Sequence, residues 1–173
     1  MGNELVLETG RLTVRQWSAG DVDRAFDLYS RWEVARWLGS APRALAARAE
    51  AEALVERFRG RGADPRFGCW AVQVRGTDVV AGTVLLVPIP GGAGEVEVGW
   101  HFHPDSWGHG YATEAARAAV AKGFAEGLTE VYAVTHPGNG PSQAVCRRLG
   151  MAELGRTDRW YGMELEAFRL AAG

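Results

Sequence analysis

The stretch EVEVGWHFHPDSWGHGYATEA, Glu95 to Ala115, decides the fold of this 173-residue chain. Its first eight residues, Glu95 to Phe102, alternate as a β-strand does. A short turn follows, then Gly108 and Gly110, then an alanine-rich run with helical spacing from Tyr111 to Glu126. A strand thus passes through two glycines into a helix. The first N–H groups of a helix lack intrahelical partners, and with the helix dipole they form an anion site. Glycines there either make a tight turn or let an anion approach the backbone. Gly99, inside the strand, marks a bulge or a close approach. The glycine pattern is not a nucleotide P-loop, because no Gly-Lys-Ser/Thr follows. It is not a dinucleotide fingerprint either, since Thr113 stands where the third glycine belongs.

Working outward, Arg11 to Trp17 reads as a strand and Ser18 to Asp21 as a capping box. A helix follows, with Val22, Ala25, Phe26 and Tyr29 on one face. Trp32 to Ala41 reads as a loop, and Pro42 as the start of a second helix carrying Ala51, Leu54, Val55 and Phe58. Phe67 to Arg75 and Val79 to Val87 form a hairpin around Gly76-Thr77-Asp78. Beyond the central helix, Glu130 to His136 is a strand and Pro141 to Leu149 a short helix, stopped at Gly150. Met151 to Thr157 and Met163 to Leu170 close the chain as a hairpin. This order predicts one α/β (α+β) domain over residues 1–173, with helices covering a largely antiparallel sheet.

Composition bounds the function classes. Hydrophobic residues make up 47% and the net charge is -2, which argues against a nucleic-acid binder dependent on bulk positive charge. Cys69 and Cys146 are the only cysteines and have no metal-ligand spacing, so they read as reduced thiols of a cytoplasmic protein. Cys146 reads as a small core residue. Neither a signal peptide nor an apolar run long enough to span a bilayer is expected, and Val6 breaks the N-myristoylation pattern. His101 and His103 alternate on a strand, but no third ligand is evident and no metal is expected. His109 reads as the solvent-facing residue of the glycine loop. His136, at a strand end before Pro137, has no assigned role.

A second motif, NGPSQAVCRRLGM, runs from Asn139 to Met151. Ser142, Val145, Cys146 and Leu149 share one helical face, and Asn139 stands just before the helix. Together the two motifs resemble the GNAT superfamily, acyltransferases that move an acyl group from acyl-CoA to an amine. Gly108 and Gly110 match the family's phosphate loop. Asn139, Ser142, Val145, Arg148, Leu149 and Gly150 match its second signature, with Met151 in place of phenylalanine. LETGRLTVRQW, EVGWHFHPDSWGHGYATEA and WYGMELEAFRL are similar to the Rim-type branch, which acetylates protein N-termini. One departure is Asp105, where the family has Gln or Arg. Its carboxylate is expected to point away from the diphosphate.

The resemblance implies a seven-stranded, largely antiparallel sheet with about four helices and two splayed strands, Glu95–Phe102 and Glu130–His136. Acetyl-CoA is the implied co-substrate, lying between those strands. The implied cofactor-binding residues are Val98, Gly99, Trp100, Trp107, Gly108, His109, Gly110, Tyr111, Ala112, Thr113, Asn139 and Ser142. A backbone N–H near Gly99 or Trp100 would hold the thioester oxygen. Glu97 is the implied catalytic base, with His101 the second choice, and Ser142 the donor at the CoA sulfur. Trp32, Trp37 and Trp100 are candidates to line the acceptor pocket. The implied acceptor is a protein or peptide N-terminus. A small-molecule amine is the alternative, as is a non-catalytic acyl-CoA-binding protein, and a homodimer is possible.

Overall fold

Alternation along the strands and small residues along one helix build this molecule around a single twisted sheet. The computed structural model describes residues 4–173; the reading of the first residues of MGNELV falls in part on Met1–Asn3, which lie outside the described residues. The elements are β1 (Leu5–Glu8), β2 (Leu12–Arg15), α1 (Val22–Tyr29), α2 (Trp32–Ala35), α3 (Arg48–Arg59), β3 (Gly68–Val74), β4 (Val80–Pro88), β5 (Val96–Phe102), α4 (Tyr111–Ala125), β6 (Glu130–Thr135), α5 (Gly140–Arg148), β7 (Ala152–Thr157) and β8 (Leu165–Ala171). The strand order is β1-β2-β3-β4-β5-β6-β8-β7.

The sheet is mixed and largely antiparallel, as expected, but among the described residues it has eight strands rather than seven, with five helices rather than about four. The additional strand is β1, which pairs with β2 as a short hairpin edge. Its four residues, LVLE, are too few for alternation to stand out. The additional helix, α2, is a single turn inside the tryptophan-rich segment expected to be a loop. Pro42 does not start α3, which begins six residues later. There the Glu50 carboxylate accepts the N–H groups of Ala46 (2.6 Å) and Ala47 (3.0 Å), capping the helix where no side chain at Ala47 can. Asp21 does the equivalent before α1, accepting from the Ser18 N–H at 2.8 Å.

Every neighbouring pair is antiparallel except β5 and β6, which are parallel and matched only at Glu97 with Tyr132. Beyond that point the two strands separate. Two cores flank the sheet. On one face Val84, Leu86, Val96 and Val98 pack against Ala115, Ala116 and Ala119 of α4. The alanines bring α4 close: a Cβ at Gly123 would stand 2.9 Å from Leu86. On the other face Trp17, Ala25, Leu28 and Val55 pack against Cys69 and Ala71 under α1 and α3. Burying each such valine or leucine contributes about 1.5–3 kcal/mol. These two layers pack the sheet on both faces. No helix among the described residues is long and apolar enough to cross a membrane.

Candidate active site

The split has a definite hydrogen-bonding character. The His103 N–H bonds to Ala81 O at 2.9 Å, and the Ile89 N–H to Glu95 O at 2.8 Å. Alternation between these points turns the backbone groups of Glu97, Gly99 and His101 toward β4. Those of Val98, Trp100 and Phe102 turn toward β6. The parallel match of Glu97 with Tyr132 engages the Val98 N–H with Tyr132 O. The first groups left facing the open split are therefore the Val98 carbonyl and the Trp100 N–H. Of the two N–H groups expected to face the split, near Gly99 or Trp100, this register turns that of Gly99 toward β4, while Val98 presents its carbonyl to the split. Gly99 is needed for another reason. No bulge interrupts β4–β5, and a Cβ at Gly99 would lie 3.0 Å from Leu85 on β4.

A cavity of about 1140 Å³ opens from the split. It is lined by Trp100 and His101 of β5, by the glycine loop, by Asn139 and Ser142 at the start of α5, and by Val34, Trp37 and Leu38. Gly108 and Gly110 have φ of 80° and 78°, a left-handed conformation that favours glycine. The N–H groups of Gly108 to Thr113 donate to no other described residue. Trp107 differs: its N–H bonds to Pro104 O at 3.2 Å and its indole to Phe102 O at 2.8 Å, so its backbone is not a free donor. His109 is exposed, with its ring stacked on Tyr111 at 5.1 Å.

The loop is clamped from outside. Arg11 donates to His109 O at 2.8 Å and to Glu114 at 2.7 Å, while Thr9 also donates to Glu114 at 2.6 Å. The β1–β2 turn thus anchors the start of α4. Arg11, Arg36, Arg117 and Arg148 line the cavity against two carboxylates, Glu33 and Glu114, and Arg11 already pairs with Glu114. Their excess positive charge suits an anionic ligand. Sequence reading found the glycines and missed these arginines as a group, although Arg148 had matched the second motif. Asp105 points away, held by Arg24 at 2.9 Å and Ser106 at 2.8 Å. The bond from Arg24, chiefly, holds its carboxyl at about 2, well below the usual carboxylate range.

Asn139 is the N-cap of α5, its Oδ1 accepting from the Ser142 N–H at 3.3 Å. Its Nδ2 and the Ser142 Oγ make no hydrogen bond with any described residue, and both residues line the cavity. Cys146 is fully buried and burial pushes its thiol up to about 12, so it is a core residue. Trp37 and Trp100 line the cavity, whereas Trp32 does not and is 55% exposed. His136, given no role, bonds to Gly39 O at 3.2 Å and packs edge-on to Trp37.

With no bulge, Glu97, Gly99 and His101 share the face of β5 turned toward α1 and α3. Burial pushes the Glu97 carboxyl up to about 7, against the bond donated by the Tyr161 hydroxyl. His101 is held at about 4 by burial, and its Nδ1 lies 3.0 Å from the Tyr29 hydroxyl. An imidazole that weakly basic is neutral at pH 7 and poorly suited to take a proton there. His103 is 4% exposed, its Nδ1 accepting the Asp105 N–H and its Nε2 lying 2.8 Å from Asp27. Among the described residues no group of three His, Cys, Asp or Glu could hold a metal ion. A split with free backbone groups, leading to helix-start N–H donors ringed by arginines, suits an extended chain that ends in phosphates.

Comparison with known proteins agrees. Residues 11–152 match the family model described as "Acetyltransferase (GNAT) domain". A Bacillus subtilis protein named uncharacterized N-acetyltransferase YoaA is 27% identical over 151 residues, covering 87% of this chain and 84% of that protein. The fold is similar to a GNAT-family acetyltransferase from Bacillus anthracis, with a TM-score of 0.80 and 22% identity over 95% of this chain and 97% of that one. It is also similar to Mycobacterium smegmatis RimJ in complex with CoA-disulfide, with a TM-score of 0.77 and 18% identity over 93% of this chain and 82% of that one.

Proposed function

This chain belongs to the GNAT acetyltransferases, and we propose that its acceptor is the α-amino group of a protein or peptide N-terminus. It is an acyl-CoA-dependent N-acetyltransferase. Acetyl-CoA supplies a thioester whose acyl carbon is open to attack by an amine. The residues present fit this co-substrate. Free N–H groups from Gly108 to Thr113 and the surrounding arginines suit a diphosphate, and the split between β5 and β6 suits the pantetheine arm.

The roles follow from position. The Trp100 N–H is the first free donor past the split, suited to the oxygen that gains charge as the amine attacks. Asn139 Nδ2 would bind the pantetheine. Ser142 Oγ would donate to the sulfur as the C–S bond breaks. Glu97 would take the proton that the attacking nitrogen gives up, while His101, neutral and tied to Tyr29, contributes polarity without charge.

What supports the α-amine reading is Glu97, which lies on the same face of β5 as the cavity-lining His101 but does not itself line the cavity, and whose burial raises its carboxyl to about 7. An α-ammonium has a pKa of roughly 8 and a lysine side chain roughly 10. Transfer to Glu97 is nearly balanced from the first and uphill by about three units from the second. The test is acetyl transfer to paired peptides, one with a free α-amine and no lysine, the other N-blocked with an internal lysine, followed by thiol release. Preferential turnover of the first supports the reading. Equal turnover, or turnover only of small amines, overturns it.

A further inference from the structure

Tyr161 is the only non-glycine among the described residues with positive φ, at 62°. With Gly162 at 64° it forms the centre of the turn between β7 and β8. A tight turn with positive φ at both central positions favours Asn or Asp before Gly. A bulky aromatic there costs on the order of 1–3 kcal/mol and persists only where its surroundings hold it. The reason for a tyrosine must then lie in its side chain. Its hydroxyl donates to Glu97 Oε2.

The loop is registered to the start of β5 at two points. Arg159 pairs at 2.7 Å with Glu95, the residue just before β5, and Tyr161 bonds to Glu97 within it, so alternate residues of the loop hold alternate residues of this segment. Between them Trp160, 3% exposed, packs edge-on against Tyr132 with centroids 5.5 Å apart. Tyr132 is the residue matched to Glu97 across β5–β6. The turn is thus locked onto the pair at which the central strands begin to separate.

We propose that Tyr161 is a positioning residue that pins one oxygen of Glu97 and leaves the other, Oε1, free to take the proton of the acceptor amine. The proposal rests on the reading of Glu97 as the base. Among the described residues no other side chain donates to this carboxylate. The titratable and charged groups facing it are Tyr161 from the turn, Arg61 beyond α3 and Cys69 on β3. The Tyr161 bond favours the ionised carboxylate, the form that accepts a proton, against the effect of burial. Tyr161 also lies beyond the segment that matches the family model, residues 11–152.

The test compares kcat/KM for a free α-amine peptide against pH in the wild type and in Glu97→Gln, Tyr161→Phe and Tyr161→3-fluorotyrosine. Glu97→Gln should remove the acidic limb that belongs to the base, near pH 7, and leave that of the acceptor amine itself, at roughly pH 8. Tyr161→Phe should move the limb of the base up by about one pH unit, the equivalent of one ordinary hydrogen bond. The fluorinated tyrosine keeps the shape, so it tests the idea even where Tyr161→Phe fails to fold. As a stronger donor it should move the limb down. A purely structural role would move neither. A limb lost in Glu97→Gln but unmoved by fluorination overturns the role of Tyr161 while leaving the base reading intact. A limb near pH 7 that survives in Glu97→Gln overturns both.

Discussion

Arg24 donates to Asp105 at 2.9 Å, and this contact keeps an acidic side chain off the glycine loop three residues later. The same arginine donates its Nε to Val80 O at 2.7 Å, which fixes the guanidinium on the sheet. Asp105 takes the place of the family's usual Gln or Arg, so the chain needs a device that disposes of the charge.

Arg24→Ala should therefore raise the KM for acetyl-CoA several-fold, because a freed carboxylate near the loop repels a diphosphate. Arg24→Ala combined with Asp105→Asn should restore it. Steady-state kinetics on the two single variants and the double variant measure the coupling. Failure of the second change to rescue the first would show that Arg24 acts through Val80 and the sheet instead.

The glycine loop admits a similar separation of effects. Gly110→Ala forces a side chain into a left-handed conformation and sets a Cβ 3.5 Å from Arg11 Nη2. Gly76→Ala imposes nearly the same backbone strain, at φ of 75°, with nothing within 4 Å. Both should destabilise the apo-protein by about 1 kcal/mol or somewhat more. Only Gly110→Ala should lose the rise in melting temperature that acetyl-CoA gives the wild type by binding the native state. An equal ligand-induced rise in the two variants would place the anion site elsewhere.

How much of this was legible in the sequence depends on range. The helix α4 and its glycines announce themselves within a few residues, as does the Asn139-to-Gly150 motif. The single-turn α2 and the four-residue β1 are too short to carry a period, and Pro42 gave a helix start that the Glu50 cap overrides. The clamp of Arg11 on Glu114 spans 103 residues, and the bond of Tyr161 to Glu97 spans 64. No local pattern encodes contacts of that reach. The free N–H at Trp100, rather than at Gly99, follows from strand register, which alternation alone leaves undetermined by one residue.

The raised Glu97 carboxyl has a consequence for stability as well as for rate. In the folded protein it titrates at about 7, above its ordinary value of 4.5. Between those two values the folded state binds a proton that the unfolded chain does not. The stabilisation is complete below about 4.5 and is lost as pH rises through about 7. Glu97→Gln has no charge to bury, so its melting temperature relative to wild type should be lowest near pH 4.5 and climb toward pH 8. Thermal melts across that range check it. A difference that does not change with pH would mean that Glu97 is solvated in the folded protein.

The last prediction separates Asn139 from Ser142, which share a helix start and a cavity wall. Asn139 has two duties, because its Oδ1 caps the Ser142 N–H while its Nδ2 is free. Asn139→Ala should lose both, costing about 1 kcal/mol of stability and raising the KM for acetyl-CoA. Asn139→Asp keeps the capping oxygen and loses the donor, so it should keep stability and still raise KM. That is the mark of a contact made equally in ground and transition states. Ser142 would act on charge that develops only as the C–S bond breaks, so Ser142→Ala should lower kcat with KM little changed. A CoA thiol has a pKa near that of cysteine, roughly 8.5, so the thiolate departs fairly well unaided. The loss should be about 10- to 100-fold, toward the lower end for such a donor. A Ser142→Ala enzyme with unchanged kcat and weakened acetyl-CoA affinity would make Ser142 a second binding residue beside Asn139. The donor to the departing sulfur would then have to come from another group at the cavity wall or from solvent.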